Sequence, residues 1–147
     1  MAAVNFVVLS TAESAVPSPV FCAYDDRPAV YWGSSRGCAH SLYVERTGRC
    51  TYVFVNTAAR PRAYRGFYAE ASVRLLTDPR EMEAAFALIM ARREALGGED
   101  YWNLADFKGG KIGLYEAMPS MAWVNREVQD AHGTVHDRRI PVPLPLT

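Results

Sequence analysis

A strict alternation of apolar and polar side chains runs from residue 67 to residue 75, within a segment at 66–76, and it constrains the fold more than any other feature of the sequence. One set of alternate positions carries Phe67, Ala69, Ala71, Val73 and Leu75, and the set between them carries Tyr68, Glu70, Ser72 and Arg74. Successive side chains of a β-strand point to opposite faces, so a period of two is the pattern of a strand. The alternation therefore predicts a β-strand over these residues.

Other short runs of β-branched, aromatic and small apolar residues are separated by turn-forming residues. They lie at 5–11, 19–24, 29–32, 49–56, 111–118 and 121–128, with Pro119 between the last two, and a final extended stretch covers 134–146. Hairpins dominate this pattern, and strands do not alternate regularly with helices. We therefore expect a mainly β fold with flanking helices, in which six or seven antiparallel strands form a closed or partly closed barrel.

Two helices are predicted beside the strands. Asp78 supplies an N-cap, Pro79 a first helical residue and Glu81 the third position of a capping box. A stripe of mainly apolar residues at helical spacing follows and ends before Gly97 and Gly98, which predicts a helix packed on the core. The residues of this stripe are Met82, Ala85, Phe86, Ile89, Arg93 and Leu96. A shorter helix is predicted over 39–46, a surface loop over 57–65 and a short helical connection within 99–110.

Length and charge limit the classes of function. A chain of 147 residues, half of them apolar, is expected to form one domain over residues 1–147. Its 16 basic and 16 acidic residues cancel, which disfavours binding to nucleic acid or to an anionic membrane and favours a neutral small substrate or a protein partner. No apolar run approaches the roughly 20 residues that a membrane span needs.

The cysteines and histidines argue against several kinds of chemistry. Cys22, Cys38 and Cys50 are odd in number and form no CxxC pair, so we expect reduced thiols and a cytoplasmic protein. His132 and His136 are predicted to lie on an extended hairpin, where a spacing of four does not bring two ligands together, so no metal site is expected. The sequence identifies no catalytic residue.

Residues 30–42 combine a strand with a turn that could bind an anion. The strand ends at Trp32, the turn begins with Gly33, and the polar residues that follow include Ser34, Ser35, Arg36 and His40. Glycine permits a close approach of the backbone, hydroxyl groups can donate hydrogen bonds, and a helix that begins in the turn would direct its free N–H groups at the anion. The turn is therefore a candidate phosphate site.

The chain resembles the pyridoxamine 5'-phosphate oxidase-like family of FMN-binding split barrels. The resemblance lies in the order of strands and turns over residues 17–48, 66–86, 123–128 and 137–144. It implies a homodimer with two cofactor sites at the interface, FMN as the cofactor and hydride transfer as the reaction. Such a cofactor carries the redox chemistry itself, so few catalytic side chains are needed.

The resemblance also implies roles for individual residues. Ser34 matches a residue beside the phosphate and Gly33 one that contributes there, while Ala39 and His40 fall on an Arg-Lys pair of the family. Ser18 and Ala23 fall near another arginine and lysine of the classical oxidase, so only His40 retains a nitrogen that can be cationic, and Arg36 is the expected substitute. Trp123 and Arg138 lie where such enzymes place groups near the ring and the substrate.

Two functional hypotheses follow. The first is an FMN-dependent oxidoreductase acting on a small organic substrate, with a deazaflavin as the alternative cofactor. The cofactor residues would be Gly33, Ser34, Ser35, Arg36, Ala39, His40, Trp123 and Arg138. The second is a non-catalytic barrel that binds a flavin or another ligand, or has lost its cofactor.

Overall fold

The computed structural model describes residues 4–11, 14–56, 59, 65–98 and 102–144. Most of the predicted loop at 57–65 lies outside these residues. The elements follow the order β1 (Phe6–Thr11), β2 (Ser14–Phe21), β3 (Ala23–Tyr24), β4 (Val30–Ser35), α1 (Ala39–Thr47), β5 (Arg49–Val55), β6 (Gly66–Leu75), α2 (Pro79–Glu94), α3 (Leu104–Lys108), β7 (Ile112–Gln129) and β8 (Val135–Val142).

The strands form one antiparallel sheet in the order β2-β1-β5-β6-β7-β4-β3, and β8 pairs with β7 outside this path. The ladder of strand pairs is not closed, but its two ends, β2 and β3, are separated in the chain only by Cys22. The backbone N–H of Cys22 donates to the carbonyl oxygen of Asn5 at 3.1 Å. The predicted fold class, a mainly β antiparallel split barrel with flanking helices, is confirmed.

Several strand boundaries differ from the prediction: β4, predicted at 29–32, extends to Ser35, and β2 begins at Ser14, where a turn was predicted. The segment predicted at 19–24 divides at Cys22 into β2 and β3, and the described residues contain eight strands where six or seven were expected. The predicted break at Pro119 was wrong, because β7 continues through it. Pro119 lies opposite Ala71, next to a shift of register between Glu70 and Ala71. A proline, which has no N–H to donate, is tolerated at such an irregularity.

The buried side chains form two clusters on the two faces of the barrel wall. The inner cluster draws on strands all round the barrel and includes Val7, Leu9, Trp32, Tyr52, Phe54 and Tyr115, with Val44 of α1 packed into it. The outer cluster joins β3, β4 and β7 to α2 and α3, and includes Tyr31, Met82, Ile89, Phe107 and Leu114. Thus α2 and α3 cover the outside of the wall around β4.

The helix ends follow local chemistry. The Asp78 carboxylate accepts hydrogen bonds from the backbone N–H groups of Arg80 and Glu81, which confirms the predicted cap of α2. The reciprocal half of the capping box is absent, because the Glu81 carboxylate instead accepts two hydrogen bonds from Arg74 at 2.7 and 2.9 Å. Leu96, predicted to end the apolar stripe, lies beyond α2 and is 51% exposed. Within the described ranges, no helix has the length and apolar character needed to span a membrane.

Candidate functional site

The centre of the candidate phosphate site is a hydrogen bond between Ser34 and His40. Ser34 shares the inner face of β4 with Val30 and Trp32, and only 9% of it is exposed. Its Oγ lies 2.8 Å from Nε2 of His40, in the first turn of α1. The sequence indicated both residues, and the structure brings them together.

The imidazole of His40 is held neutral by its surroundings. The side chain is half-buried, and burial lowers its pKa below the ordinary histidine value because the charged form loses hydration. At neutral pH His40 can therefore donate or accept a hydrogen bond, but it supplies little positive charge. The resemblance had suggested a cationic role for this residue.

Helix α1 begins without a capping side chain. Its N-cap residue, Cys38, makes no side-chain cap and the first turn contains no acidic residue, whereas α2 and α3 are capped by Asp78 and Asn103. The first backbone bond of α1 runs from the N–H of Leu42 to the carbonyl of Cys38 at 3.0 Å. The N–H groups of residues 39–41 thus precede the first helical bond and carry the positive end of the helix dipole.

Arg36 does not carry a free charge. Its Nε and Nη2 donate to the two carboxylate oxygens of Glu45 at 2.9 and 2.5 Å. The hydroxyl of Tyr115 also donates to Glu45 at 2.7 Å, and the hydrogen bond from Arg36 is the main reason that the pKa of Glu45 is lowered. Burial raises the pKa of Tyr115 to about 12, so this hydroxyl stays protonated. Sequence reasoning missed Glu45 and Tyr115, because nothing in their spacing indicates a contact with Arg36.

Gly33 and Ser35 have structural roles in the same segment. A Cβ on Gly33 would lie 2.9 Å from Cζ3 of Trp102 and 3.0 Å from Cε1 of Phe107, so the aromatic side chains beside β4 require a glycine there. The Ser35 carbonyl accepts from the N–H of Cys38 at 3.1 Å, and its Oγ accepts from the N–H of Gly37 at 3.3 Å. These contacts shape the turn between β4 and α1.

Trp123 and Arg138 lie far from this turn within one copy of the chain. Ser34 pairs with Gly113, and Trp123 follows ten residues later on the same strand, a path of roughly 30 Å measured along the strand at about 3.3 Å per residue. Arg138 lies still farther along, on β8 opposite Arg126, and is exposed. A single copy therefore does not bring the two halves of the predicted site together.

Trp123 lines a separate cleft of about 380 Å³, which we call the Trp123 cleft. Every residue that lines it belongs to a strand, and the lining includes Val8, Val53, Tyr68, Glu70, Trp123 and Arg139. The guanidinium carbon of Arg139 lies 4.3 Å from the centre of the Tyr68 ring. The cleft is thus a concavity on the outer surface of β1, β5, β6, β7 and β8, and its lining combines aromatic and apolar side chains with Ser10, Thr51, Glu70 and Arg139.

The cysteines and acidic groups form no further reactive centre in the residues that the structure describes. All three cysteines are free, and burial raises the pKa of both Cys22 and Cys50 to about 12, so neither is a thiolate at neutral pH. Among the described residues, no group of three or more His, Cys, Asp or Glu side chains could hold a metal ion.

The turn provides donors that fit a phosphate ester. These are the N–H groups that open α1 and the hydroxyls of Ser34 and Ser35, and all of them come from a segment with an uncapped, positive helix end. The positive charge is weak, because Arg36 is neutralised by Glu45 and His40 is neutral. The donor set fits the phosphate of FMN, and the charge predicts modest affinity.

Comparison with proteins of known structure shows which fold the chain has. No protein-family model matches the chain, and no curated protein matches it. A Listeria innocua protein provisionally assigned as a pyridoxamine 5'-phosphate oxidase matches with a TM-score of 0.57 and 11% identity, covering 82% of this chain and 87% of that one. A FAD-binding protein from Mesorhizobium loti matches with a TM-score of 0.58 and 10% identity, covering 82% and 84%.

A haem-binding protein from Mycobacterium smegmatis has a TM-score of 0.63 and 13% identity, and the match covers 94% of this chain but only 54% of that one. The chain therefore spans about half the length of the haem-binding protein. These similarities confirm the split-barrel fold, which the chain shares with a protein assigned as a pyridoxamine 5'-phosphate oxidase, a FAD-binding protein and a haem-binding protein.

Proposed function

We propose that this chain is an FMN-dependent oxidoreductase that binds its cofactor between two copies of itself and acts on a small organic molecule by hydride transfer. The observation that carries the proposal is the uncapped start of α1 beside the hydrogen-bonded pair of Ser34 and His40. The likeness to flavin-binding split barrels supports it. Residues 1–147 are taken as a single domain, and the three free thiols agree with a cytoplasmic location.

The separation of the two halves of the site supports a dimer. In one copy, the turn after β4 lies beside the start of β7, whereas the Trp123 cleft lies beside a distant part of the same strand. A second copy covering the Trp123 cleft would bury its apolar and aromatic lining. It would also bring groups from two chains to one cofactor. The phosphate would lie at the turn of one copy, and the ring would lie against the strands that line the Trp123 cleft of the other.

The residues of this chain would act by binding and positioning. The N–H groups of residues 39–41 and the hydroxyls of Ser34 and Ser35 would hold the phosphate, and His40 would orient the Ser34 hydroxyl. Trp123 and Tyr68 would exclude water from one side of the site. When bound, the isoalloxazine ring of FMN supplies the acceptor or donor of the hydride.

Flavin titration and mass measurement test the proposal together. The purified chain is titrated with FMN, riboflavin and a deazaflavin by fluorescence, and its mass is measured by light scattering. We expect a dimer that binds FMN more tightly than riboflavin. We also expect Trp123→Glu to reduce both dimerisation and FMN binding, with Leu96→Glu, at an exposed position just beyond α2, as the matched control for a new surface charge. A monomer with no affinity for any flavin would overturn the proposal.

A second candidate is a non-catalytic barrel that binds a flavin, a deazaflavin or another ligand. The observation in its favour is the compensated charge at the turn, where Glu45 neutralises Arg36 and His40 is neutral. A bound flavin that is never reduced or reoxidised by any donor or acceptor tested would favour this candidate.

A further inference from the structure

A second cleft lies elsewhere on the outer surface of the barrel, where α2 and α3 cover β7. It has a volume of about 420 Å³, and we call it the α2–α3 cleft. Small-molecule sites are commonly about 300 to 1,000 Å³ in volume. Of the residues assigned above to the cofactor, only Arg36 lines this cleft. It is therefore distinct from the Trp123 cleft and from the pair formed by Ser34 and His40.

The floor of the α2–α3 cleft is apolar. Met82 of α2, Phe107 of α3 and Leu114 of β7 are buried members of the outer core cluster, and Ile112 is half-buried beside them. These side chains come from three different elements that pack on each other, so the floor is held in place by the core itself. A hydrocarbon chain or an aromatic ring would lose its contact with water here.

The charged groups that line the α2–α3 cleft are all positive. Arg36 and Lys108 contribute cationic side chains, and no acidic residue lines the cleft within the described part of the chain. Lys108 Nζ lies 3.3 Å from Glu83, but both side chains of this pair are about half exposed. Such exposed pairs contribute little free energy, so Lys108 is available to another anion.

Arg36 also has hydrogen-bond donors to spare. Only its Nε and one of its terminal nitrogens donate to Glu45. A guanidinium group has five N–H bonds in a fixed plane, so its other edge can still donate to a second oxyanion. The α2–α3 cleft thus combines an apolar floor with donors for one negative group.

We propose that the α2–α3 cleft binds a small apolar carboxylate, with its hydrocarbon part on the floor and its carboxylate between Lys108 and Arg36. This site goes beyond the proposed function and does not depend on it. A phosphate ester is a poorer match, because a dianion needs more positive charge than one exposed lysine and a guanidinium already paired with Glu45 supply.

Calorimetry with a matched pair of probes tests the site. The full chain is titrated with 1-naphthoate and with 1-naphthamide, which has the same ring and no charge. We expect naphthoate to bind about fivefold more tightly, the upper end of what an exposed ion pair contributes. Backbone amide resonances of residues 108–114 should shift, and the indole resonance of Trp123 should not. Equal affinities, no binding, or shifts confined to Trp123 would overturn the proposal.

Two variants with a control locate the binding groups. Lys108→Gln should remove the preference for the carboxylate, whereas Lys111→Gln, an exposed lysine that does not line the cleft, should preserve it. Ile112→Trp should fill the cleft and abolish binding of both probes. If Ile112→Trp does not fold, the comparison of the two lysine variants decides the matter. A preference retained in Lys108→Gln would show that the cleft does not bind the carboxylate as proposed.

Discussion

Ser34 Oγ lies 2.8 Å from His40 Nε2, and this contact joins the inner face of β4 to the first turn of α1. The pair is six residues apart in the chain, and the turn between its members is held by hydrogen bonds to Ser35. A hydroxyl group and a neutral imidazole are thereby fixed beside the N–H groups at the start of α1 that precede its first helical hydrogen bond. The geometry provides oriented donors with little charge.

The double variant Ser34→Ala with His40→Ala should weaken FMN binding while the fold is retained. Hydrogen bonds to a charged group contribute about 1.5–3 kcal/mol each, so we expect roughly 10- to 100-fold lower affinity, measured by flavin fluorescence. Riboflavin, which has no phosphate, serves as the control ligand and should bind the variant and the unmodified chain equally. Unchanged FMN affinity would show that the phosphate binds elsewhere.

The stability of the protein should depend on pH through His40. Burial lowers the pKa of this imidazole in the folded state, so the unfolded chain binds more protons between the folded and unfolded pKa values. The free energy of unfolding should therefore be highest above the ordinary histidine pKa near 6.5 and fall as the pH is lowered through that interval. Urea unfolding at several pH values measures this dependence.

His40→Gln should reduce that pH dependence, because the glutamine side chain does not titrate. Leu42→Gln, at an exposed position of α1, is the control, because it introduces the same side chain without removing a titratable group and should leave the dependence unchanged. An identical pH profile in His40→Gln and in the unmodified chain would contradict the inference that burial affects this imidazole.

Gly33→Ala should destabilise the protein by about 1–3 kcal/mol, the usual cost of forcing an extra carbon into a packed region. The added Cβ would lie 2.9 Å from the Trp102 ring and 3.0 Å from the Phe107 ring. Gly37→Ala is the control, because its Cβ would meet only Ser35 Oγ at 3.8 Å. Equal unfolding midpoints in urea for the two variants would exclude the packing role of Gly33.

The sequence predicted which strands and helices form better than it predicted where a strand is interrupted. The alternation over β6 and the Asp78 cap of α2 are local signals, and the structure confirms both. The uninterrupted course of β7 through Pro119 depends on a register shift opposite Ala71 on another strand. No local sequence pattern indicates such a shift of register, so the sequence predicted a break at Pro119.

The same limit applies to the candidate site. Ser34 and His40 were predicted from residue type, and their contact agrees with that choice. The partner of Arg36 was not predictable, because Glu45 reaches it only through the way α1 packs against the strands. The distance between Trp123 and the turn after β4 is likewise a property of the sheet register. Whether the two meet across a dimer stays a prediction.

Glu116→Gln should lower the free energy of unfolding by about 1–3 kcal/mol. The side chain of Glu116 is 7% exposed, accepts from Arg74 Nε at 2.6 Å and accepts from the Tyr31 hydroxyl at 3.0 Å. Removing the charge of the buried Glu116 carboxylate weakens both contacts, and the cost stays moderate because Arg74 is half exposed and keeps its two hydrogen bonds to Glu81. Urea unfolding measures the change. Glu83→Gln, which breaks an exposed pair with Lys108, is the control and should change stability by less than about 1 kcal/mol.

Glu45→Gln should strengthen FMN binding, although it removes a group near the proposed site. The carboxylate of Glu45 holds the guanidinium of Arg36 through two hydrogen bonds, and the pair is neutral as a whole. A glutamine keeps an acceptor for the Tyr115 hydroxyl, so the packing of α1 is preserved while the positive charge of Arg36 becomes uncompensated. We expect an increase in affinity of about three- to tenfold at low ionic strength, measured by flavin fluorescence. The gain should shrink as salt is added, because screening weakens the attraction between exposed charges.

Glu94→Gln makes the same change in net charge at the end of α2 and should leave FMN affinity unaltered. Weaker binding in Glu45→Gln would mean that the ion pair itself positions the phosphate site, and an equal gain in both variants would mean that only the net charge matters.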